Sequence, residues 1–283
     1  MNCLPSKHAI HKIIRIALEE DIGAGDVTTA SVLQGGEKGR AVAVAKSEMV
    51  VAGIEVFKET FLFLDGGLKF KGLATDGALV KKGVVLAEIS GSLGSILTAE
   101  RTALNLFQRM SGIATLARRF SDEVKGTKAK ILDTRKTAPG LRVLDKYAVK
   151  VGGAYNHRFG LDDGILIKDN HIEAAGGITA ALEQVRRNLS YMLKVEIEAK
   201  NLKEVKEALA AGADIIMLDN MSVADMKECM KFVKGRAPLE ASGNVSLAGV
   251  RAVAETGIDF ISVGALTHSV TAADISLKIK HGF

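Results

Sequence analysis

Proline and tryptophan are scarce: the 283 residues hold three prolines and no tryptophan, and aromatic residues make up only 5%. So little proline excludes a proline-rich linker or a polyproline segment. So few aromatics, with no basic runs beside them, exclude the stacking surfaces of nucleic-acid binders. Cys3 and Cys229 are the only cysteines. Two cysteines cannot build a disulfide framework; they suit a reducing cytoplasm and show no metal-ligand spacing with the histidines. No apolar stretch approaches the ~20 residues of a membrane-spanning helix. The segment from Met1 to His11 lacks the apolar core of a signal peptide.

What is abundant is glycine, 29 residues, where average usage of about 7% would give some twenty. With proline so rare, these glycines belong to tight turns and to places where backbone approaches a ligand. Hydrophobic residues are 47% and charged residues 25%, which excludes disorder. The formal net charge of +5 is thinly spread and favours a small anionic ligand. This length supports one large or two ordinary domains.

Ile10, Ile13, Ile14, Ala17 and Leu18 form one helical stripe, which stops at an acidic, glycine-punctuated stretch ending in Asp26. From Arg40 to about Ile96 the pattern turns to short strands: 41–45, 68–70 and 84–89. A helix follows, with Ala103, Leu104, Phe107 and Met110 on one face. Together these predict an α+β domain over residues 1–111.

Beyond Lys128 short apolar runs alternate with amphipathic helices. The runs are 129–132, 165–167, 195–197, 215–218, 239–241 and 260–263. The helices are marked by Leu202, Val205, Ala208 and Leu209, by Met226, Cys229, Met230 and Val233, and by Val250, Val253 and Ala254. Ser222 and Ser246 stand where N-caps belong. Six buried strands with intervening helices predict a parallel sheet with right-handed crossovers. The segment is short of the ~250 residues of a full barrel, so the expectation is an incomplete, six- to seven-stranded α/β barrel over residues 112–269.

Each run ends in a polar group: Asp133-Thr134-Arg135-Lys136, Lys168-Asp169-Asn170-His171, Glu198, Asp219-Asn220, Ser242-Gly243-Asn244 and Gly264-Ala265. In a barrel these ends converge on one mouth, whereas an open sheet would scatter them along an edge of about 25 Å at ~4.8 Å per strand. The two glycine turns suit an anion held by backbone N–H groups, although glycine also simply ends strands. Glu198 and Asp219 end adjacent strands and can hold Mg²⁺, grip sugar hydroxyls or steady a developing cation. Facing them are Arg135, Lys136, His157, Arg158, Lys168 and His171, with Arg101 as an addition. Between Asp133 and His171 seven Lys/Arg are offset by five Asp. The bland account of this group is a solvated face, but Arg135, Lys136 and Lys168 directly follow apolar strands. His157, His171 and His268 read as supporting or capping groups.

These motifs resemble the quinolinate phosphoribosyltransferase family over essentially the whole chain. The stretches that carry the resemblance are residues 20–29 (Glu20 to Thr29), 100–105 (Glu100 to Asn105) and 111–115 (Ser111 to Thr115). The strongest is Asp133-Thr134-Arg135-Lys136-Thr137-Ala138-Pro139-Gly140-Leu141-Arg142. Lys146-Tyr147-Ala148-Val149, Asn156-His157-Arg158, Ile167-Lys168-Asp169-Asn170-His171 and Met217-Leu218-Asp219-Asn220-Met221 follow, then 240–244 and 262–269. The resemblance implies an N-terminal α/β sandwich, an incomplete barrel, and a tail, residues 270–283, that returns to the first domain. It implies a cytoplasmic, Mg²⁺-using enzyme that makes nicotinate mononucleotide, pyrophosphate and CO₂ from quinolinate and phosphoribosyl pyrophosphate, with no organic cofactor.

By motif, Arg101, Arg135, His157, Arg158 and Lys168 resemble the quinolinate-binding set, and Arg101 is similar to an arginine that comes from the neighbouring subunit of a dimer or hexamer. Lys136 and Lys168 resemble the phosphate-facing lysines, and Glu198 and Asp219 the acidic pair near ribose and metal. Ser242, Gly243, Asn244, Val263, Gly264 and Ala265 fall in the 5′-phosphate loops. Ala154 departs from the pattern, standing where many members keep a third glycine. Other readings of the same residues are a relative acting on another heteroaromatic acid, a Schiff-base aldolase with Lys136 or Lys168 as nucleophile, and a non-catalytic anion-binding module.

Overall fold

The computed structural model describes residues 4–188, 190 and 192–280; Cys3 and the last three residues of the tail lie outside them. In chain order the strands are β1 (Lys38–Ala45), β2 (Met49–Val50), β3 (Lys69–Gly72), β4 (Leu79–Val80), β5 (Val85–Ser92), β6 (Lys130–Leu132), β7 (Ile165–Ile167), β8 (Val195–Ala199), β9 (Ile215–Asp219), β10 (Leu239–Ser242), β11 (Phe260–Ser262) and β12 (Ile275–Lys280). The chain divides into two compact units. Unit 1 comprises Met1–Arg118, Thr137–Gly153 and Leu266–Phe283, and unit 2 comprises Arg119–Lys136 and Ala154–Ala265.

In unit 1 the apolar stripe near the N-terminus forms the helix Lys7–Ile22. It is capped by Ser6, whose Oγ accepts from the Ala9 amide, and it ends at Gly23 with φ +53°. Its buried face is Ile10, Ile14 and Leu18, one residue per turn. The acidic stretch that follows starts a short helix, Val27–Val32, with Asp26 accepting from Thr29 N. The sheet order is β12-β1-β5-β3, all antiparallel, with Ala41 opposite Ile279 on one side and Ile89 on the other. Alternate residues of β1 (Ala41, Ala43 and Ala45) face the core, as the two-residue period of a half-buried strand requires. Against them pack Phe57 and Phe107, whose rings stack at 4.9 Å. Phe107 lies on a 31-residue helix, Leu93–Glu123, that runs unbroken through Ser111.

Unit 2 holds a six-stranded sheet in the order β6-β11-β10-β9-β8-β7, and every pairing is parallel. From β7 to β11 each strand neighbours the next, and the last lies beside the first. This is the order of a barrel opened between β6 and β7. One isolated parallel bridge, Leu132 to Tyr155, sits at the opening, so the sheet has six strands and the trace of a seventh. The residues between Lys136 and Ala154, which connect β6 to the following segment, belong to unit 1. The helices Leu202–Ala210 and Val223–Val233 bury the faces read from the sequence, Val205 and Ala208 in one, Met226, Cys229 and Val233 in the other.

Ser222 caps the second of these by accepting from Asp225 N. Ser246 is not an N-cap of the helix Val250–Ala254, where Gly249 holds that place. Its Oγ instead accepts from Gly249 N at 3.2 Å, closing the 246–249 turn just before the helix, because a serine hydroxyl caps whichever turn its own residue opens. Among the described residues no helix is long and apolar enough to cross a membrane.

Candidate active site

All the predicted site residues except Arg101 lie in unit 2, at or just beyond the C-terminal ends of its strands; Arg101 is exposed on the long helix of unit 1. The strand ends are stitched together by short polar links. Asp133, fully buried after β6, accepts from Asn156 Nδ2 at 2.5 Å and from the His157 amide at 2.8 Å. That link draws the segment carrying His157 and Arg158 beside the one carrying Arg135. Burial first, and then the Arg135 guanidinium, hold the pKa of Arg158 below its ordinary value. Two guanidiniums close enough to oppose each other define a place for an anion with two negative ends. Arg158 is steadied by donating to Gly164 O at 3.0 Å.

At the next strand ends cations give way to acids. Lys168, exposed after β7, has its Nζ 3.8 Å from Glu198 Oε1. The neighbouring Asp169 amide donates to Glu198 Oε2 at 3.0 Å. Glu198 ends up mostly buried, and its carboxyl is raised above the usual range, chiefly by burial and also by the Asp219 and Asp169 charges. Asp169 is held low by the Asn170 amide and by Lys200. His171 serves as a cap: its Nδ1 accepts from the Lys168 amide at 2.9 Å, closing a capping box on the helix Asp169–Ala175. The sequence reading of His171 as a capping group matches this.

Beyond β9, Asn220 donates to Asp219 Oδ1 at 3.0 Å and accepts from Asn244 Nδ2 at 3.1 Å. Asn220 and Asn244 both take positive φ, 54° and 50°, a conformation asparagine tolerates. Gly243 has φ +98°, and a Cβ there would collide with the Asn220 side chain. The turn after β10 is thereby keyed to the one after β9, with Ser242 O accepting from Asn220 N at 2.9 Å. After β11, Val263 is buried and its amide donates to Leu132 O at 2.9 Å, leaving Gly264 and Ala265 to enter the short helix Ala265–His268. Lys136 is exposed, and its amide donates to Thr134 Oγ1.

A cavity of about 360 Å³ borders this cluster, lined by Arg158, Leu161, the strand β7 and His171 among others. Its far wall is Ala175, Ala181, Gln184 and Val185. Of the predicted catalytic and substrate-binding residues of unit 2 only Arg158 lines it; Arg135, Lys136, His157, Lys168, Glu198 and Asp219 do not.

Two buried acids went unread in the sequence, Glu196 on β8 and Glu240 on β10. They are 5% and 1% exposed and face His157, with Glu196 Oε2 2.9 Å from His157 Nε2. The readable signal was an acid flanked on both sides by apolar strand residues, Val195 and Ile197 in one case, Leu239 and Ala241 in the other.

Comparison with known proteins covers the same ground. Residues 26–111 match the family model for the quinolinate phosphoribosyl transferase N-terminal domain, and residues 113–278 match that for its C-terminal domain. The chain is 46% identical to a protein from Synechocystis sp. named a probable nicotinate-nucleotide pyrophosphorylase (carboxylating), covering 99% of this chain and 95% of that one. A protein of the same name from Bacillus subtilis is 44% identical, over 95% and 93%. The solved nicotinate-nucleotide pyrophosphorylase from Ehrlichia chaffeensis superposes with a TM-score of 0.92 at 42% identity, covering 95% of this chain and 98% of that one.

Proposed function

The chain belongs to the quinolinate phosphoribosyltransferase family, and from that premise we propose that it joins the pyridine nitrogen of quinolinate to C1′ of phosphoribosyl pyrophosphate. Pyrophosphate and CO₂ leave, and nicotinate mononucleotide remains. It is a pentosyltransferase of de novo NAD biosynthesis. The observation that carries this reading is the order of charge around the strand ends. Arg135 and Arg158 are drawn together by the links from Asp133 to Asn156 and His157, and at another strand end Lys168 borders the half-hidden Glu198, 3.8 Å away.

That order matches the charges of the reaction. Arg135 and Arg158 would fork onto the ring carboxylates, with Lys168 as a point charge and His157 at the pocket floor. This holds the ring nitrogen in line with C1′ and replaces a bimolecular encounter by a positioned one. As pyrophosphate departs, positive charge grows on the ribose, and Glu198 and Asp219 would lower its energy through space. Lys136 would stand between the pyridine acid and the pyrophosphate. The backbone at Ser242, Gly243 and Asn244 and at Val263, Gly264 and Ala265 would cradle the 5′-phosphate. Once alkylated, the ring nitrogen is cationic and stabilises the electron pair left on the adjacent carbon when its carboxylate leaves as CO₂; a proton then takes that carbon.

Glu198 and Asp219 also fit Mg²⁺. They offer hard oxygen donors from adjacent strands, and their mutual repulsion within partial burial is what a divalent cation relieves. When bound, the ion would neutralise charge on the pyrophosphate. We place the reaction in the cytoplasm, which suits the free thiol of Cys229.

The assembly we favour is a dimer or hexamer in which Arg101 completes the pyridine-acid pocket of a neighbouring subunit. Arg101→Ala mixed with Lys136→Ala under subunit exchange should then regain activity that neither has alone. No regain under demonstrated exchange would assign Arg101 to its own subunit. The reaction itself is tested with carboxyl-labelled quinolinate, phosphoribosyl pyrophosphate and Mg²⁺. Labelled CO₂ and mononucleotide should appear in equal amounts, and a chelator should stop both. No CO₂ release would refute the assignment.

A further inference from the structure

The buried acids Glu196 and Glu240 have no part in the chemistry just described, yet both are buried in unit 2 against His157, the residue next to Arg158. Each side chain comes from a strand flanked by apolar neighbours, and at 5% and 1% exposure each has lost its water. A carboxylate in such a place is costly unless donors replace the hydration. One imidazole supplies part of the replacement: His157 Nε2 lies 2.9 Å from Glu196 Oε2 and 3.7 Å from Glu240 Oε2. The remaining oxygens, Glu196 Oε1 and Glu240 Oε1, are buried and accept no hydrogen bond from any N–H or hydroxyl. Each acid presents an oxygen to the same imidazole, and the facing atoms of all three residues lie within 4.8 Å of one another. Burial first, and then the Glu196 charge, raise the Glu240 carboxyl well above the ordinary range.

The other side of the imidazole decides its protonation. His157 Nδ1 accepts the main-chain N–H of Arg158 at 2.8 Å. A nitrogen that accepts carries no proton, so the ring proton sits on Nε2 and is donated to Glu196. The same fact argues against a metal ion among His157, Glu196 and Glu240, although their ligand atoms lie within 4.8 Å of one another. A neutral imidazole bound to metal through Nε2 would carry its proton on Nδ1, directly against the Arg158 N–H. The His157 amide is meanwhile tied to Asp133 Oδ1 at 2.8 Å. The backbone on both sides of the ring is fixed, and with it the origin of the Arg158 side chain.

We propose that Glu196 and Glu240 are positioning residues for the pyridine-acid pocket, holding His157 as the Nε2–H tautomer and, through its Nδ1, the main chain of Arg158. The inference rests on the placement of Arg158 in that pocket. It assigns the two acids a role in aiming a guanidinium at one carboxylate of the substrate, without touching the substrate themselves.

The test compares Glu240→Leu with Glu240→Gln by steady-state kinetics, and reads the His157 ring by its imidazole ¹⁵N shifts. Leucine keeps the bulk and removes the polar group that faces His157 and Glu196, so the KM for quinolinate should rise on the order of tenfold, while the KM for phosphoribosyl pyrophosphate stays within about twofold. Glutamine keeps a polar group of the same shape there and should leave both values near wild type. The ring should read as the Nε2–H tautomer in wild type and in Glu240→Gln, and as a mixture in Glu240→Leu. An equal rise of both KM values, a tenfold rise in Glu240→Gln, or a wild-type ring protonated at Nδ1 would overturn the proposal. If Glu240→Leu does not fold, Glu240→Gln and the wild-type tautomer still decide it. A wild-type protein that leaves quinolinate untouched would overturn the assigned reaction instead, and the tautomer would still decide the positioning claim.

Discussion

Each unit of this chain buries a set of charged side chains, and the two sets are finished differently. In unit 1, Asp145 is wholly buried and Arg109 is 24% exposed. Asp145 receives Arg109 Nε at 2.8 Å, Arg109 NH2 at 2.7 Å and the Ala138 amide at 3.1 Å, and the same guanidinium reaches Thr267 O at 3.0 Å. Asp76 does similar work, accepting from the amides of Gly53 and Ile54 and from the Tyr147 hydroxyl. These acids hold backbone in place and have every oxygen engaged. In unit 2, Glu196 and Glu240 each keep one buried oxygen without an N–H or hydroxyl donor, and Glu198 is left with its proton affinity raised. A charge that serves only the fold is satisfied by the fold. One that serves a ligand, or aims a group that does, is left partly unsatisfied, and that energy becomes available when the ligand arrives.

The sharpest way to break this contrast is to remove Asp145. Asp145→Ala leaves Arg109 largely buried with no anionic partner, only Thr267 O, which typically costs about 3–5 kcal/mol, read as a fall in the urea midpoint at unchanged m-value. A loss below about 1 kcal/mol would mean that the pair is as weak as a surface one. Next come the strand-end lysines of unit 2. Lys136→Ala and Lys168→Ala should lower kcat by about 10²–10³ with the urea midpoint unmoved, whereas Lys231→Ala on the surface should change neither. Near-normal turnover in both would remove the lysines from the site.

A smaller effect is expected at Gly243, where φ is +98° and a side chain would meet Asn220. Gly243→Ala should cost about 1–3 kcal/mol, divided between stability and the KM for phosphoribosyl pyrophosphate, with the KM for quinolinate unchanged. A rise confined to quinolinate would separate this turn from the phosphate. The smallest effect is a null one. Burial pushes the Cys229 thiol up to about 11, so iodoacetamide at neutral pH should label it only after unfolding. Rapid labelling of the native protein would show that the Val223–Val233 helix opens locally.

Much of the fold was legible because its elements are locally patterned. The stripe at Ile10, Ile14 and Leu18, the six apolar runs and the helices around Val205 and Met226 all appear where the periodicity put them. The helix Arg142–Val151 was not read, because its buried face includes Asp145 and Lys146, and charges on the inner face erase an apolar stripe. Ser246 reads as a helix cap in the sequence because the capping chemistry of serine acts on any turn that the serine opens, helical or not.

For the site, the sequence by itself determined which chemical groups stand at the strand ends, since a strand of known length delivers its last residue to a known place. Only the tertiary structure decided which of those ends are neighbours, and so joined Lys168 to Glu198 and Asn220 to Asn244. It alone turned Glu196 and Glu240 inward onto His157. An acid in a strand reads as solvent-facing until the sheet has curled far enough to enclose it, and that curvature comes from the order of strands tens of residues apart, which no local period records.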